Sequence, residues 1–363
     1  MLRKICFSTL VFSVFYSASA QETAKDSITK EEPEAGGLKI SGYVDAYYRF
    51  NFSNPGKESG VYNNATSFTN SHNSFELGMA SVKLEHSVGK VGLVADLGFG
   101  RRAEEFSYND EGTLLAIKQA YVTYAPSDNL KFTAGSFATH VGYELVDPNL
   151  NRNYSMSYMF SYGPFFHTGV KADYTFGKSG FMLGVANPTD LKTASFSRKW
   201  LIGQYSFAAT DDVKFYLNFQ SGNAEDSAKT RLRQLDAVVT AKVSDQFSLG
   251  YNGTVQKRTA RDGRGKYEDG NNWWGSALYL NLDPTPTFGL TLRGEYFYDK
   301  KDMLGFNSSI FATTLSANLK VGGLTLIPEL RLDNASSDAV FTKRDGTGTK
   351  STLSGIFAAV YSF

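Results

Sequence analysis

Residues able to do covalent or metal chemistry are few and scattered. Cys6 is the single cysteine and lies in an N-terminal stretch that reads as a leader, so the chain after it offers no disulfide, thiolate nucleophile or thiolate metal site. Four histidines are too few for a His-rich metal centre. His72-Asn73-Ser74 puts a base near a hydroxyl, but at a loop edge and without the H-x-S-N-G arrangement of outer-membrane phospholipases. His140 and His167 stand near Ser136 and Ser161 without triad spacing, and no G-x-S-x-G motif occurs. Acyl transfer needs a nucleophile, a base and an oxyanion donor within reach of one another. No enzyme and no cofactor is expected.

A different set of polar residues recurs with a regular spacing. Asp45, Arg49, Asp96, Lys171, Asp173, Lys214, Asp236, Lys242, Arg293, Glu295, Glu329, Arg331 and Asp333 are spaced so that apolar residues alternate with them. Side chains at every second position share one face of a β-strand. These charges therefore belong to one polar face, opposite an apolar one. On a lipid face, Arg or Lys at the bilayer midplane costs roughly 2–4 kcal/mol, so the charges must point away from lipid, into a lumen. Their signs are mixed, which suits a water-filled path without strong anion or cation selectivity.

The strands that carry them follow one pattern. In KISGYVDAYYRF, Ile40, Gly42, Val44, Ala46, Tyr48 and Phe50 share one face, and Ser41, Tyr43, Asp45, Tyr47 and Arg49 the other. The runs from Val213, Phe288 and Leu324 repeat this alternation. Long polar connections near 53–74, 101–113, 140–163, 188–199, 222–231, 257–272, 299–309 and 334–350 take turns with short ones near 87–90, 126–129, 177–180, 209–212, 244–246, 283–287 and 322–323. Eight long and seven short connections join sixteen strands. An even strand count with short periplasmic turns and long outer loops predicts an all-β, transmembrane antiparallel β-barrel over 39–363. A soluble propeller or sandwich would share the alternation but not this loop asymmetry.

Aromatic residues at the ends of apolar faces, namely Phe99, Tyr124, Trp200, Trp274, Tyr296, Tyr298, Tyr361 and Phe363, are expected to form interfacial girdles. Three places fit poorly. Glu76 has the opposite parity from Lys83 and Glu85, which calls for a bulge near 78–81. The face of LLAIKQAYVTYA is ambiguous. Pro328 stands among outward positions and predicts a local irregularity, because it cannot donate to the ladder.

The N-terminus reads as a signal peptide over 1–20: Arg3 and Lys4, an apolar run too short to span a bilayer, then Ala18-Ser19-Ala20 as the cleavage site. Residues 21–38 form a flexible acidic periplasmic leader. With Arg3 and Lys4 removed, 35 of the 37 basic residues and all 36 acidic ones remain, a net charge of −1 that calls for no nucleic acid.

The connection 140–163, HVGYELVDPNLNRNYSMSYMFSYG, is too rich in apolar and aromatic residues to float in water. It is expected to fold inward and narrow the channel, with Glu144, Asp147 and Arg152 facing the constriction; an outer lid is the alternative. The basic loop KRTARDGRGKYEDGNN reads as a solvated loop, or as a contact for anionic lipid head groups.

GSFATHVGYE (135–144), NYSMS (153–157) and PFFHTGV (164–170) resemble the central motif of the OmpL-like β-barrel porins of Gram-negative bacteria, and QAYVTYAP (119–126) resembles theirs too. The likeness is strongest over 115–175. It implies an outer-membrane porin passing small polar solutes or ions by passive diffusion, with outer-membrane lipid and the β-barrel assembly machinery as partners and a homo-oligomer as an option. It also implies that the terminal Phe363 is an assembly signal. In that family Ser-Arg often follows the Asn-Tyr; Met156 stands at that point here. A structural or adhesion barrel closed by its loops is the alternative, and an outer-membrane hydrolase a more distant one.

Overall fold

The alternation requires each strand to bury one face in a polar lumen and show the other to lipid, which only a closed sheet can do without an unpaired edge. The structure, a computed structural model, describes residues 37–363 except 57–61, 196, 224–229, 263, 265 and 269. The signal peptide and most of the leader expected over 1–38 lie outside the described residues.

The first fifteen strands are β1 (Lys39–Asn51), β2 (Ser74–Val88), β3 (Val91–Phe99), β4 (Ile117–Ser127), β5 (Leu130–Ala138), β6 (Phe166–Phe176), β7 (Ser179–Ala186), β8 (Trp200–Ala208), β9 (Val213–Asn223), β10 (Thr230–Lys242), β11 (Phe247–Ala260), β12 (Asn272–Thr285), β13 (Phe288–Tyr298), β14 (Ser309–Val321) and β15 (Leu324–Ala335). A two-residue hairpin, β16 (Phe341–Thr342) and β17 (Gly348–Thr349), precedes the last strand, β18 (Ser351–Ser362). Strands β1–β15 and β18 form one closed sixteen-strand barrel in which each strand pairs antiparallel with its sequence neighbour. The seam is made by β1 and β18, with Ala46 opposite Ala359. Beyond it, Phe363 and Gly42 exchange both backbone hydrogen bonds (3.1 and 3.0 Å), and a Cβ on Gly42 would meet the Phe363 ring at 2.9 Å.

The outward face reads as expected. Val44, Leu217, Leu292, Leu330, Phe357 and Tyr361 are exposed, whereas their neighbours Asp45, Asn218, Arg293, Arg331, Ile356 and Val360 are buried inside. Trp274 stacks on Tyr298 with ring centroids 5.6 Å apart and also meets Tyr296, the expected outer aromatic patch. Trp200 departs from its expected place on the lipid face. It is 3% exposed, points inward over Gly222, and donates its indole N–H to the Asn223 carbonyl at 2.9 Å. It follows the parity of β8, inward with Ile202 while Leu201, Tyr205 and Phe207 face lipid, so it is not part of the expected girdle; the space over Gly222 and an open carbonyl receive the ring.

The irregular positions resolve into two bulges and a ladder gap. On β2, Gly78 and Met79 both turn inward opposite Asp45, where the β1–β2 register shifts. Asp45 drives this bulge: its carboxylate accepts the Met79 N–H at 2.9 Å and occupies the space where a Gly78 Cβ would sit. A second register shift, between Asp96 and Leu97, brings Lys118 of β4 inside, and that strand begins at Ile117 rather than at Leu114. At Pro328 the register is kept, but β14 and β15 pair at Ser316–Glu329 and at Leu319–Leu326 with no pairing between.

Candidate functional site

Seven of the long connections, L1 (52–73), L2 (100–116), L3 (139–165), L4 (187–199), L6 (261–271), L7 (299–308) and L8 (336–350), are wholly or largely described; L5 (224–229) is not. L2 carries α1 (Arg101–Phe106), and L3 carries a short turn of helix, α2 (Tyr158–Ser161), capped by the Ser157 hydroxyl on the Phe160 N–H at 3.1 Å. L3 is folded into the barrel.

Reading L3 from its start, every few residues meet a charged wall residue. The Gly142 N–H donates to Asp236 at 3.1 Å, and Asp236 also accepts Asn218 and Asn252. Glu144 pairs with Arg293 and accepts the Ser157 N–H at 2.8 Å. Asp147 takes Lys118 at 2.6 Å and the Tyr43 hydroxyl at 2.7 Å. Arg152 reaches Asp283 at 3.0 Å and Thr291 at 2.8 Å. Glu329 accepts the Tyr154 N–H at 2.7 Å and the Ser155 N–H at 3.1 Å, while the Tyr154 hydroxyl donates to Asp45. Glu295 takes the N–H groups of Tyr158 and Met159, both at 2.9 Å.

The wall arginines hold the carbonyls. Arg293 donates to the Ser155 carbonyl and Arg331 to that of Met156, both at 2.7 Å, with Arg331 braced by Asp333 at 2.9 Å. At position 156, where the resembled family often has arginine, the methionine side chain is buried and the wall supplies a guanidinium, Arg331, to its carbonyl. A loop backbone sunk inside a barrel must have its polar groups satisfied, and wall carboxylates and guanidiniums do so with charge-assisted bonds. The aromatic residues of L3 then find apolar partners. Tyr158 stacks on Phe297 at 5.2 Å, and Phe160 and Phe165 join Phe68 of L1 and Phe106 of L2.

The expected inward charges thus separate into groups. Asp45, Asp96, Asp236, Arg293, Glu295, Glu329, Arg331 and Asp333 are nearly fully buried, holding L3 or a residue that holds it. Arg49, equally buried, donates instead to the Ser71 and Tyr62 carbonyls of L1. Lys171, Asp173 and Lys214 remain half-buried, and Lys171 pairs with Asp173 at 3.3 Å. Lys242 sits at the opposite end, paired with Asp245 at 2.7 Å. Glu144, Asp147 and Arg152 are all ion-paired to the wall.

Several contributors escape sequence reading. Lys118 lies in the strand of ambiguous face; the high cost of lysine against lipid would have turned it inward. Arg102 of α1 is fully buried, stands over the Phe68 and Tyr154 rings at 5.1 and 5.0 Å, and donates to the Val146 carbonyl at 3.2 Å. No periodicity marks it. Asp190 of L4, in a left-handed backbone conformation (φ 58°), accepts the Phe165 and Phe166 N–H groups at 2.7 and 3.0 Å and the Tyr108 hydroxyl at 3.1 Å. Burial pushes its carboxyl up to about 7, against the pull of those donors and Lys192. His140 and His167 face each other at 5.2 Å at the root of L3, with His140 against the Phe219 carbonyl at 3.1 Å.

The chain is similar to solved outer-membrane channels at low identity. The outer membrane channel DcaP of Acinetobacter baumannii superposes with a TM-score of 0.61 at 15% identity, over 92% of this chain and 99% of that one. The trimer form of OmpT of Vibrio cholerae gives 0.58 at 10% identity, over 91% and 100%. An anion-selective porin from Comamonas acidovorans gives 0.57 at 11% identity, over 90% and 99%. No curated relative matches the sequence. Residues 37–363 match the family described as putative beta-barrel porin-2, OmpL-like, and the chain belongs to this family of Gram-negative outer-membrane β-barrel porins.

Proposed function

We propose that the protein is a channel for passive diffusion of small polar solutes or ions and not an enzyme, and that L3 sets its bore. The observation that carries this reading is the seating of L3, whose charged residues and backbone are tied to inward residues on β1, β4, β10 and β12–β15. Sixteen strands enclose more space than wall side chains fill, so an inserted loop governs what passes. Half-buried Lys171, Asp173 and Lys214 make no bond to L3 among the described residues, and their mixed sign supports weak ion selectivity.

Planar-bilayer conductance tests the channel, and its reversal potential in a salt gradient tests the selectivity. Deleting 147–158 should raise single-channel conductance severalfold; an unchanged conductance would remove L3 from its role. A second reading, a structural or adhesion barrel closed by its loops, draws on the depth at which the L3-holding charges are buried. Absence of conductance in the parent, with conductance in the deletion, would favour it. Recognition of Phe363 by the assembly machinery belongs to the same proposal: Phe363→Ala should lower the yield of inserted barrel without changing the conductance of what inserts. Whether the barrels associate, as the Vibrio protein does in its trimer form, is a matter for cross-linking in native membranes.

A further inference from the structure

A cavity of about 700 Å³ lies among the outer loops, between L1, the α2 end of L3, L7 and L8. Among the described residues its lining carries no lysine or arginine and one carboxylate, Asp302. The other polar groups of the lining are amides and hydroxyls: Asn64, Asn70 and Asn307, with Thr66, Tyr162 and three serines. Tyr162 and Phe306 supply aromatic surface, held edge to face at 5.4 Å.

Part of this lining is locked. Asn64 donates to the Thr66 carbonyl and to Asn70, the Tyr162 hydroxyl donates to the Ala65 carbonyl at 3.0 Å, and Ser161 joins α2 to the Ser67 N–H at 2.9 Å. Other groups are left open. The side chains of Ser67, Asp302 and Asn307 make no hydrogen bond among the described residues. Asp302 and Asn307 hold left-handed backbone conformations, φ 53° and 43°, as do Asn63 and Phe68 in L1 across the cavity. Non-glycine residues held in that region cluster where a loop must present a fixed surface.

We propose that this outer vestibule binds a neutral saccharide of one or two rings. Amides donate and accept at once, as a sugar hydroxyl also does, and one carboxylate can take two hydroxyl donors. Aromatic surface suits the C–H face of the ring, and the volume falls within the range of small-ligand sites. An anionic solute would meet Asp302 with no cation in the described lining to offset it, and a strongly cationic one would find one partner there. The vestibule's place on an uptake route rests on the channel reading above; the binding itself does not.

The test is calorimetric titration of the detergent-solubilised full-length protein with sucrose and glucose, with gluconate and glucosamine as charged counterparts. Sucrose should bind more tightly than either charged sugar. The double variant Asp302→Gly/Asn307→Gly removes both open side chains where the backbone suits glycine, and should weaken sucrose at least about tenfold, the effect of losing hydrogen bonds to a charged and a neutral partner. Its conductance in potassium chloride should match the parent's. No sucrose binding by the parent, gluconate or glucosamine binding as tightly as sucrose, or unchanged affinity in the double variant would each overturn the proposal. A parent that binds sucrose but does not conduct would leave the vestibule standing and defeat the channel reading; one that conducts without binding would do the reverse.

Discussion

Two sectors of one wall carry the same alternation and do different things with it. From β13 through β15 and β18 to β1, Arg293, Glu295, Glu329, Arg331, Asp333 and Asp45 point inward and are almost completely covered. Across the barrel, Lys171 and Asp173 on β6 and Lys214 on β9 also point inward, yet stay half-buried. Strand chemistry is the same in both. L3 lies against the first sector and turns its charges into a clamp, whereas Lys171, Asp173 and Lys214 make no bond to L3 among the described residues. Inward charge is therefore a property of the strand, whereas its use is set by a loop that starts on β5.

The comparison can be broken from the clamp side. Glu144→Ala should leave Arg293 buried without its carboxylate, and breaking such a pair costs about 3–5 kcal/mol. Cleavage of L3 by added protease, and noisier or larger single-channel currents, should report the release; an L3 as protected as the parent's would show the clamp to be redundant.

A smaller effect tests the latch at the end of L3. The Asp190 carboxyl, raised to about 7, holds more protons in the folded protein than in an unfolded chain, so it destabilises its surroundings progressively as pH rises toward 7. Between pH 5 and 8 the loss should reach about 2–3 kcal/mol of local stability, taken at 1.36 kcal/mol per pH unit. Hydrogen exchange at the Phe165 and Phe166 amides should quicken across that range, and Asp190→Asn should flatten the dependence.

The smallest effect sharpens the open sector. Lys171→Glu or Lys214→Glu should shift the reversal potential toward cations by several millivolts in a tenfold salt gradient while leaving L3 protected, since lumen charges tune selectivity collectively. The same change at Arg331 should disturb L3 first, because its guanidinium holds the Met156 carbonyl and Asp333.

Strand number, inward parity and the alternation of long and short connections were legible in the sequence because a two-residue period is local and lipid enforces it at every position. The mismatch at Glu76 even located a bulge, at Gly78–Met79, although its cause, Asp45 on the neighbouring strand, could not be read there. Trp200 shows the limit of reading a girdle from aromatics at strand ends: by the parity of β8 it points inward, where Gly222 on the next strand leaves room for it. The aromatic content of L3 marked it as a loop that would not stay in water, but its partners lie up to 175 residues away, as with Tyr154 and Glu329. Arg102 and Asp190 were invisible for the same reason, and Lys118, which its cost in lipid could have turned inward, could not be matched to Asp147: each acts through a group brought near only when the barrel closes. The sequence by itself determined a barrel with a charged interior and one loop unsuited to solvent. Tertiary structure alone decided which charges that loop covers, because the pairing depends on the depth and direction at which L3 enters, and no local pattern encodes either.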